Sequence, residues 1–212
     1  MEKKDHIDLF GTIALISLSA LLGINHVVIK VVNNGLNPVF FAGLRSLIAF
    51  IFLVIFFRIT KRKMIFSRDT VAISVLAGVI FALEFLFLFL ALDFTTVTRN
   101  SILYYSMPIW ITAVGHFFLP NEKLNFLKAL GLIFAFAGVA LAISDNKLTL
   151  SINNWHLVGD FLAIMAAVLW AMIIYLAKGT RFKDVPPEMQ LLWMLLVSSP
   201  ILLIASLFFG DL

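Results

Sequence analysis

The sequence contains no cysteine, which excludes a disulfide framework, a thiolate metal site and a cysteine nucleophile. Its four histidines are scattered and form no cluster with acidic residues at metal-ligand spacing. A glycine-rich phosphate loop and a nucleophile–base pair at a recognisable spacing are also absent from the sequence. We therefore predict that the protein is not an enzyme and that it binds neither a metal nor a cofactor.

Charged residues are scarce as well. Only 13% of the 212 residues are charged and 62% are hydrophobic, against about 25% and 45–50% in soluble domains. The apolar residues form long runs that approach the about 20 residues needed for a helix to cross a bilayer, and they lack the alternation of barrel strands. The sequence thus predicts an all-α polytopic membrane protein with seven transmembrane helices, at residues 10–32, 38–57, 70–92, 97–119, 124–143, 156–178 and 188–209.

The basic residues concentrate in alternate loops, whereas the opposite loops hold only Lys147 clearly. Because cytoplasmic loops carry an excess of lysine and arginine, this bias predicts a multi-pass protein of the inner (cell) membrane with a cytoplasmic N-terminus. The same placement accounts for the net charge of +4 and leaves no basic face for nucleic acid. The residues on the predicted cytoplasmic side are Lys3, Lys4, Arg58, Lys61, Arg62, Lys63, Arg68, Lys123, Lys128, Lys178, Arg181 and Lys183.

Four residues of the first two spans have a counterpart 148 positions later in the chain, three of them identical and the fourth an alanine in place of glycine. The unit before the repeat holds five spans, an odd number, so the second copy would enter the membrane from the opposite side. Such inverted repeats are typical of secondary transporters. We predict a 5+5 repeat of ten spans, with the first five-helix repeat at 10–143, the first two helices of the second at 156–212, and three more spans beyond residue 212. The recurring pairs are Gly11 and Gly159, Gly23 and Ala171, Lys30 and Lys178, and Pro38 and Pro186.

Two stretches carry a family resemblance. "LLGINHVVIK…LNPVFFAGLRSLIAFI" resembles the opening of an EamA domain, of the drug/metabolite transporter superfamily, and "ALDFTTVTRNSILYYSMPIWITAVGHFFLPNEKLNFLKALGLIFAFAGVAL" resembles its end. The second stretch is the more specific, since it combines Pro108, the N-E-K-L at 121–124 where the family usually has G-E-x-L, Gly131 and Gly138. The resemblance implies ten spans, both termini in the cytoplasm and a substrate path between two repeats.

The same resemblance implies a transporter that exports small organic molecules, such as amino acids, nucleotide-related metabolites or amphipathic drugs, by alternating access. Two alternatives stay open: a seven-helix receptor or signalling protein, and a non-transporting remnant that needs a separate partner chain. The predicted partners are the lipid bilayer and a small-molecule substrate, and a homodimer is left open.

Polar residues inside the first three spans are the first candidates for the substrate path. Asn25 and His26 lie within the apolar run of span 1. Glu84 lies just past the centre of span 3, where an acid is a functional hypothesis by default, and Arg45 of span 2 is its expected counter-charge. The alternatives for Glu84 are a structural ion pair and a protonated carboxyl group. Lys30 is interpreted as an interfacial anchor.

Span 4 supplies further candidates, because Ser101, Tyr105 and Thr112 share one helical face with Pro108. We predict that this face lines the path and that Pro108 kinks the helix. The alternative is that Tyr104 and Tyr105 belong to an interfacial aromatic belt. Arg99 is expected at the membrane interface. In span 5 a face of small residues predicts close helix packing through Gly131, Ala135 and Gly138.

Overall fold

The computed structural model describes residues 9–62, 68–118, 125–144 and 154–209, and within these ranges the chain is helical, without a strand. The result confirms an all-α polytopic membrane protein. The helices are α1 (Leu9–Val32), α2 (Pro38–Ile59), α3 (Arg68–Phe94), α4 (Val97–Tyr104), α5 (Met107–Phe118), α6 (Phe126–Ser144), α7 (Asn154–Gly179) and α8 (Pro187–Ser206), with a short 3-10 helix, Arg181–Asp184, before α8.

Five helices of the described part are long and apolar enough to cross a membrane by length and composition. Their outward faces carry large apolar side chains, as on α1, where only 11% of the most apolar window is buried. Such faces suit contact with lipid, because hydrocarbon chains do not penalise exposed leucine or isoleucine. The five segments are Gly11–Val32, Pro38–Ile59, Arg68–Phe94, Trp155–Gly179 and Pro187–Ser206.

Local signals explain where the helices begin. Asn37 precedes α2, and its side-chain oxygen accepts hydrogen bonds from the backbone N–H groups of Val39 at 2.9 Å and Phe40 at 3.1 Å. Pro38 then occupies the first helical position, where its missing N–H is not needed. Thr96 caps α4 in the same way, accepting from the N–H of Arg99 at 3.3 Å. These caps satisfy N–H groups that have no partner within the helix.

The structure corrects the predicted fourth span, because residues 97–118 form two helices rather than one. Tyr105 and Ser106 separate α4 from α5, and Pro108 lies in the first turn of α5. A proline ring clashes with the carbonyl four residues earlier, which here belongs to Tyr104, the last residue of α4. The predicted kink at Pro108 is therefore a complete break that begins just before it.

Close helix contacts hold α3 and α2 against α8. A Cβ built on Gly78 of α3 would lie 2.5 Å from the Cβ of Val197, and one on Gly43 of α2 would lie 2.9 Å from the backbone nitrogen of Leu203. Real side chains do not approach so closely, so only glycine allows these helix pairs to pack at this distance.

The face of small residues on α6 does not make the predicted contact within the described residues. Gly131, Ala135 and Gly138 are all exposed. A Cβ built on either glycine would meet no neighbouring atom within 4 Å. The packing prediction for α6 is therefore not confirmed, and close glycine packing occurs instead at α2 and α3.

Candidate functional site

A cavity of about 240 Å³ lies between the first helices of the chain and the last two. Aromatic side chains dominate its wall, with a few polar groups among them. Ligand pockets typically have apolar walls with a small number of placed polar groups and volumes of about 300–1,000 Å³, so this cavity suits a small solute. The described lining residues are Leu22, Asn25, His26, Arg45, Phe81, Phe85, Leu88, Tyr104, Tyr105, Met107, Trp170, Leu191 and Met194.

The cavity lies at mid-depth in the bundle. At a rise of 1.5 Å per residue, His26 lies roughly 10 Å before the end of α1, and Arg45 lies roughly 10 Å after the start of α2. Trp170 lies roughly 24 Å along α7 by the same measure. We call the end of the bundle where α1 and α3 end and where α4 and α7 begin the junction end. The cavity thus extends from roughly 10 to 24 Å below the junction end, near the centre of a 30 Å hydrocarbon core.

Arg45 is the one charged residue among the described residues that line the cavity. Its guanidinium carbon lies 5.3 Å from the ring centroid of Phe85, which places the cation over an aromatic face. Such contacts contribute about 0.5–2 kcal/mol, depending on desolvation. No carboxylate of the described residues lies within ion-pair distance of Arg45, so its donors remain available to a solute.

Glu84 is fully buried on α3, directly behind the cavity wall. Its Oε1 accepts a hydrogen bond of 2.8 Å from the hydroxyl of Tyr104, a lining residue, and its Oε2 has no partner among the described residues. Arg45 is close enough to attract the charge of Glu84, although it forms no direct ion pair with it. The hydrogen-bond partner of Glu84 is therefore Tyr104. Arg45 interacts with Glu84 only by electrostatic attraction, without a direct contact.

His26 connects α1 to α4 at the cavity wall. Its Nδ1 is hydrogen-bonded to the Ser101 hydroxyl at 2.9 Å. The imidazole also stacks on the ring of Tyr105, with centroids 5.2 Å apart and an interplanar angle of 6°. The hydroxyl of Tyr105 is buried and lacks a hydrogen-bond partner in the described part of the chain. These contacts place His26 and Tyr105 side by side with polar atoms next to the cavity.

The structure brings together most of the residues predicted for the path. Four of them line the cavity, namely Asn25, His26, Arg45 and Tyr105. Glu84 and Ser101 are bonded to lining residues. Thr112 is not among the described lining residues, and its hydroxyl donates to the carbonyl of Pro108 at 2.7 Å. The break after Tyr104 explains the difference, because a single helical face does not continue across it.

Lys30 does more than reach an interface. Its Nζ donates to the backbone carbonyls of Leu92, Asp93 and Thr95, at 2.5, 3.0 and 3.2 Å. These carbonyls belong to the last turn of α3 and the residue just beyond it, where helices leave C=O groups without internal partners. A cation at a helix C-terminus is also favourable to the helix dipole. Lys30 therefore joins the end of α1 to the end of α3.

Arg99 occupies a buried ion pair near the start of α4, a partner that the sequence did not predict. It is 4% exposed, and its Nε and Nη2 donate to the two carboxylate oxygens of Asp160 on α7. Thr95 donates its hydroxyl to the same carboxylate at 3.1 Å. We call Thr95, Arg99 and Asp160 the junction cluster. It joins the α3–α4 connection to α7 near the junction end.

Sequence reasoning missed Asp160 and gave Tyr104 no role of its own. Asp160 is an acid inside a predicted span, the same signal that singled out Glu84, and so could have been noticed. Nothing in the spacing, however, joins it to Arg99, which lies 61 residues earlier. The role of Tyr104 was hidden because it depends on the rotation of α4 about its axis.

Comparison with known proteins agrees with this architecture. The model of the EamA-like transporter family matches residues 9–144. The chain is 27% identical over 198 residues to YoaV, an uncharacterised transporter of Bacillus subtilis. The aligned region covers 93% of the chain and 66% of YoaV. The chain is also 30% identical over 177 residues to a probable amino-acid metabolite efflux pump of Escherichia coli. This aligned region covers 81% of the chain and 52% of the pump. No solved structure matches the chain.

The chain therefore spans less than two thirds of the length of these curated relatives. A third relative, an uncharacterised transporter of Archaeoglobus fulgidus, is 34% identical over 109 residues, or 51% of the chain and 36% of that protein.

Proposed function

Because the chain belongs to the EamA-like transporter family, we propose that it forms part of a carrier that exports small organic solutes, and that the cavity at mid-depth is its solute site. The observation that carries this proposal is the cavity itself. It lies between the first helices and the last two, at the depth where transporters built from repeats bind their substrates.

The wall of the cavity indicates the chemistry of the solute. Arg45 offers a planar cation suited to a carboxylate, and Phe81, Phe85 and Trp170 offer apolar surface for the remainder of the molecule. We propose as substrates small carboxylates with an apolar side chain, such as amino acids. The similarity to the Escherichia coli protein, a probable amino-acid metabolite efflux pump, supports this choice.

Transport would proceed by alternating access, with the first repeat at 10–143 rocking against a second repeat that starts with residues 156–212. The packing of α2 against α8, its counterpart 148 positions later, supports this arrangement, because elements near a pseudo-two-fold axis contact their own copies. In the proposed orientation the N-terminus is cytoplasmic and the inner membrane is the location, so the junction end faces outward.

The break between α4 and α5 supports the cavity as the solute site, because transporters typically bind substrates at discontinuous helices.

Arg45→Gln should lower transport of a carboxylate at least tenfold, because the substitution removes the cation that faces it. The protein is expressed from its own gene and reconstituted in liposomes. The uptake of leucine, leucine amide and isopentylamine is then compared between the parent and R45Q. The amide is expected to be transported equally by the parent and by R45Q, since it carries no carboxylate for Arg45 to bind.

Arg58→Gln is the matched control, because Arg58 lies on the same helix but is exposed near its end. It should transport leucine within about twofold of the parent. An equal loss in both variants would contradict a specific role for Arg45. Absence of transport of any tested solute by the parent would contradict the proposed function itself.

A further inference from the structure

We infer that the junction cluster is a gate: the contact of Arg99 and Thr95 with Asp160 holds the junction end of the cavity closed, and its separation opens the cavity to that side of the membrane. The inference rests on the proposed function, because only a carrier requires this end to open. Arg99 and Asp160 are positioning residues here and do not touch the solute.

The cluster joins the parts of the chain that the proposed transport cycle moves apart. Thr95 and Arg99 belong to the first repeat, whereas Asp160 belongs to the first helix of the second. His156, one turn earlier on α7, adds a contact of 2.9 Å to the carbonyl of Phe94. A carbonyl only accepts, so Nδ1 of His156 is the donor. All of these contacts therefore cross from the α3–α4 connection to α7.

The cluster also lies between the cavity and the junction end. Arg99 is roughly 3 Å from the first residue of α4, and Asp160 lies at a similar depth because it is bonded to Arg99, whereas the cavity begins roughly 10 Å from the ends of α1 and α3. α4 carries Arg99 at its start and the lining residue Tyr104 at its end. A movement of α4 away from α7 would thus break the ion pair and uncover the cavity wall together.

Next to the junction cluster, α7 lies unusually close to the connection between α3 and α4. A Cβ built on Gly159 would lie 2.9 Å from the Cβ of Thr95 and 2.9 Å from its backbone nitrogen. The ring of Phe94 stacks on that of Trp155, with centroids 5.6 Å apart. The carboxylate of Asp160 accepts three hydrogen bonds from Arg99 and Thr95. Gly159 lies directly against Thr95, so α7 packs tightly on the α3–α4 connection at this level.

An ion pair suits a gate better than a permanent anchor. Replacing a buried ion pair by apolar side chains is often neutral or stabilising, so such a pair is weak evidence for stability alone. Arg99 and Asp160 compensate each other only while they touch, and both are close enough to the membrane surface to be hydrated once separated. The pair can therefore exist in a closed, dry state and an open, hydrated state.

The absence of native cysteine allows a direct test with one introduced thiol. Asn25→Cys places the thiol in the cavity wall, and a charged, membrane-impermeant thiol reagent is applied from the junction side. We expect the reagent to modify N25C slowly in the parent background and at least fivefold faster with R99A and D160A combined. Both partners are removed together, so that neither buried charge is left without its counterpart.

Two controls accompany this measurement. Asn34→Cys in the exposed turn after α1 reports which membrane side the junction end faces and should react equally in every background. R62A with E188A removes the ion pair between Arg62 and Glu188, which is exposed and lies at the opposite end of the bundle. This control should not accelerate modification of N25C from the junction side.

A second experiment tests the same contact by holding it closed instead of removing it. Arg99→Cys and Asp160→Cys are joined by a bis-methanethiosulfonate crosslinker, whose bonds to cysteine a reductant reverses. Transport of leucine should fall at least tenfold on crosslinking and return after reduction. The same reagent on the single R99C variant should change transport by less than about twofold.

The outcomes separate the gate from the proposed function. Modification of N25C at the parental rate in a correctly folded R99A/D160A variant would overturn the gate. Unchanged transport after complete crosslinking would overturn it too. If the parent transports no solute but the double variant still exposes N25C, the carrier proposal fails while the closing role of the cluster stands.

Discussion

Replacing Glu84 by glutamine should reduce transport at least tenfold while the amount of protein in the membrane stays equal or rises. Glutamine keeps the shape of the side chain and can still accept the hydrogen bond from Tyr104. The substitution removes the ability of the side chain to carry a negative charge or exchange a proton, and with it any electrostatic attraction between this position and Arg45. Because a central acid costs about 2.5–3.5 kcal/mol on membrane-insertion scales, its removal does not impair insertion.

The measurement is uptake into liposomes, normalised to reconstituted protein and compared with quantitative blots of the membranes. Asp93→Asn is the matched control, since it makes the same chemical change at an exposed position near the end of the same helix. D93N should stay within about twofold of the parent. If E84Q retained half or more of the parental transport, Glu84 would be a structural residue and its role in the path would be rejected.

Replacing Gly78 by alanine should destabilise the folded protein by about 1–3 kcal/mol, the usual effect of overpacking. For a chain of this size that corresponds to a fall in melting temperature of about 2–12 °C. The physical reason is the new methyl group, which would lie 2.5 Å from the Cβ of Val197 and 3.0 Å from both of its Cγ atoms. Since these atoms belong to two long helices, α3 and α8 must move apart to make room.

Thermal unfolding in detergent, followed by size-exclusion chromatography of heated samples, measures the effect. Val197→Gly should restore much of the stability lost in G78A, because it moves the small residue to the facing helix. Gly131→Ala is the control, as no atom of the described residues lies within 4 Å of its Cβ position. Alanine favours a helix over glycine by up to about 1 kcal/mol, so G131A should be unchanged or more stable.

Equal melting temperatures for G78A and G131A would contradict the close packing of α3 on α8. A clear destabilisation by G131A, by contrast, would indicate that another helix covers the small-residue face of α6 in the membrane. That result would support the sequence prediction for Gly131, Ala135 and Gly138, which the described residues leave unconfirmed.

The sequence by itself determined the class of the protein and most of its helices, because the length of an apolar run and the residues that cap it are local properties. Pro38 marks the start of α2, and the runs ending at Val32 and Lys178 match α1 and α7 within two residues. The candidate Glu84 also followed from the sequence alone, since an acid inside an apolar run is improbable without a role. Membership of the transporter family rests on the same local patterns.

Only the tertiary structure decided which polar residues meet. The partner of a side chain depends on how far each helix is rotated about its axis and where it crosses its neighbours, and neither quantity is encoded in apolar periodicity when every face is apolar. For this reason the sequence did not predict that Arg99 is bound to Asp160. For the same reason Arg45 was expected to pair with Glu84, whose hydrogen bond comes instead from Tyr104.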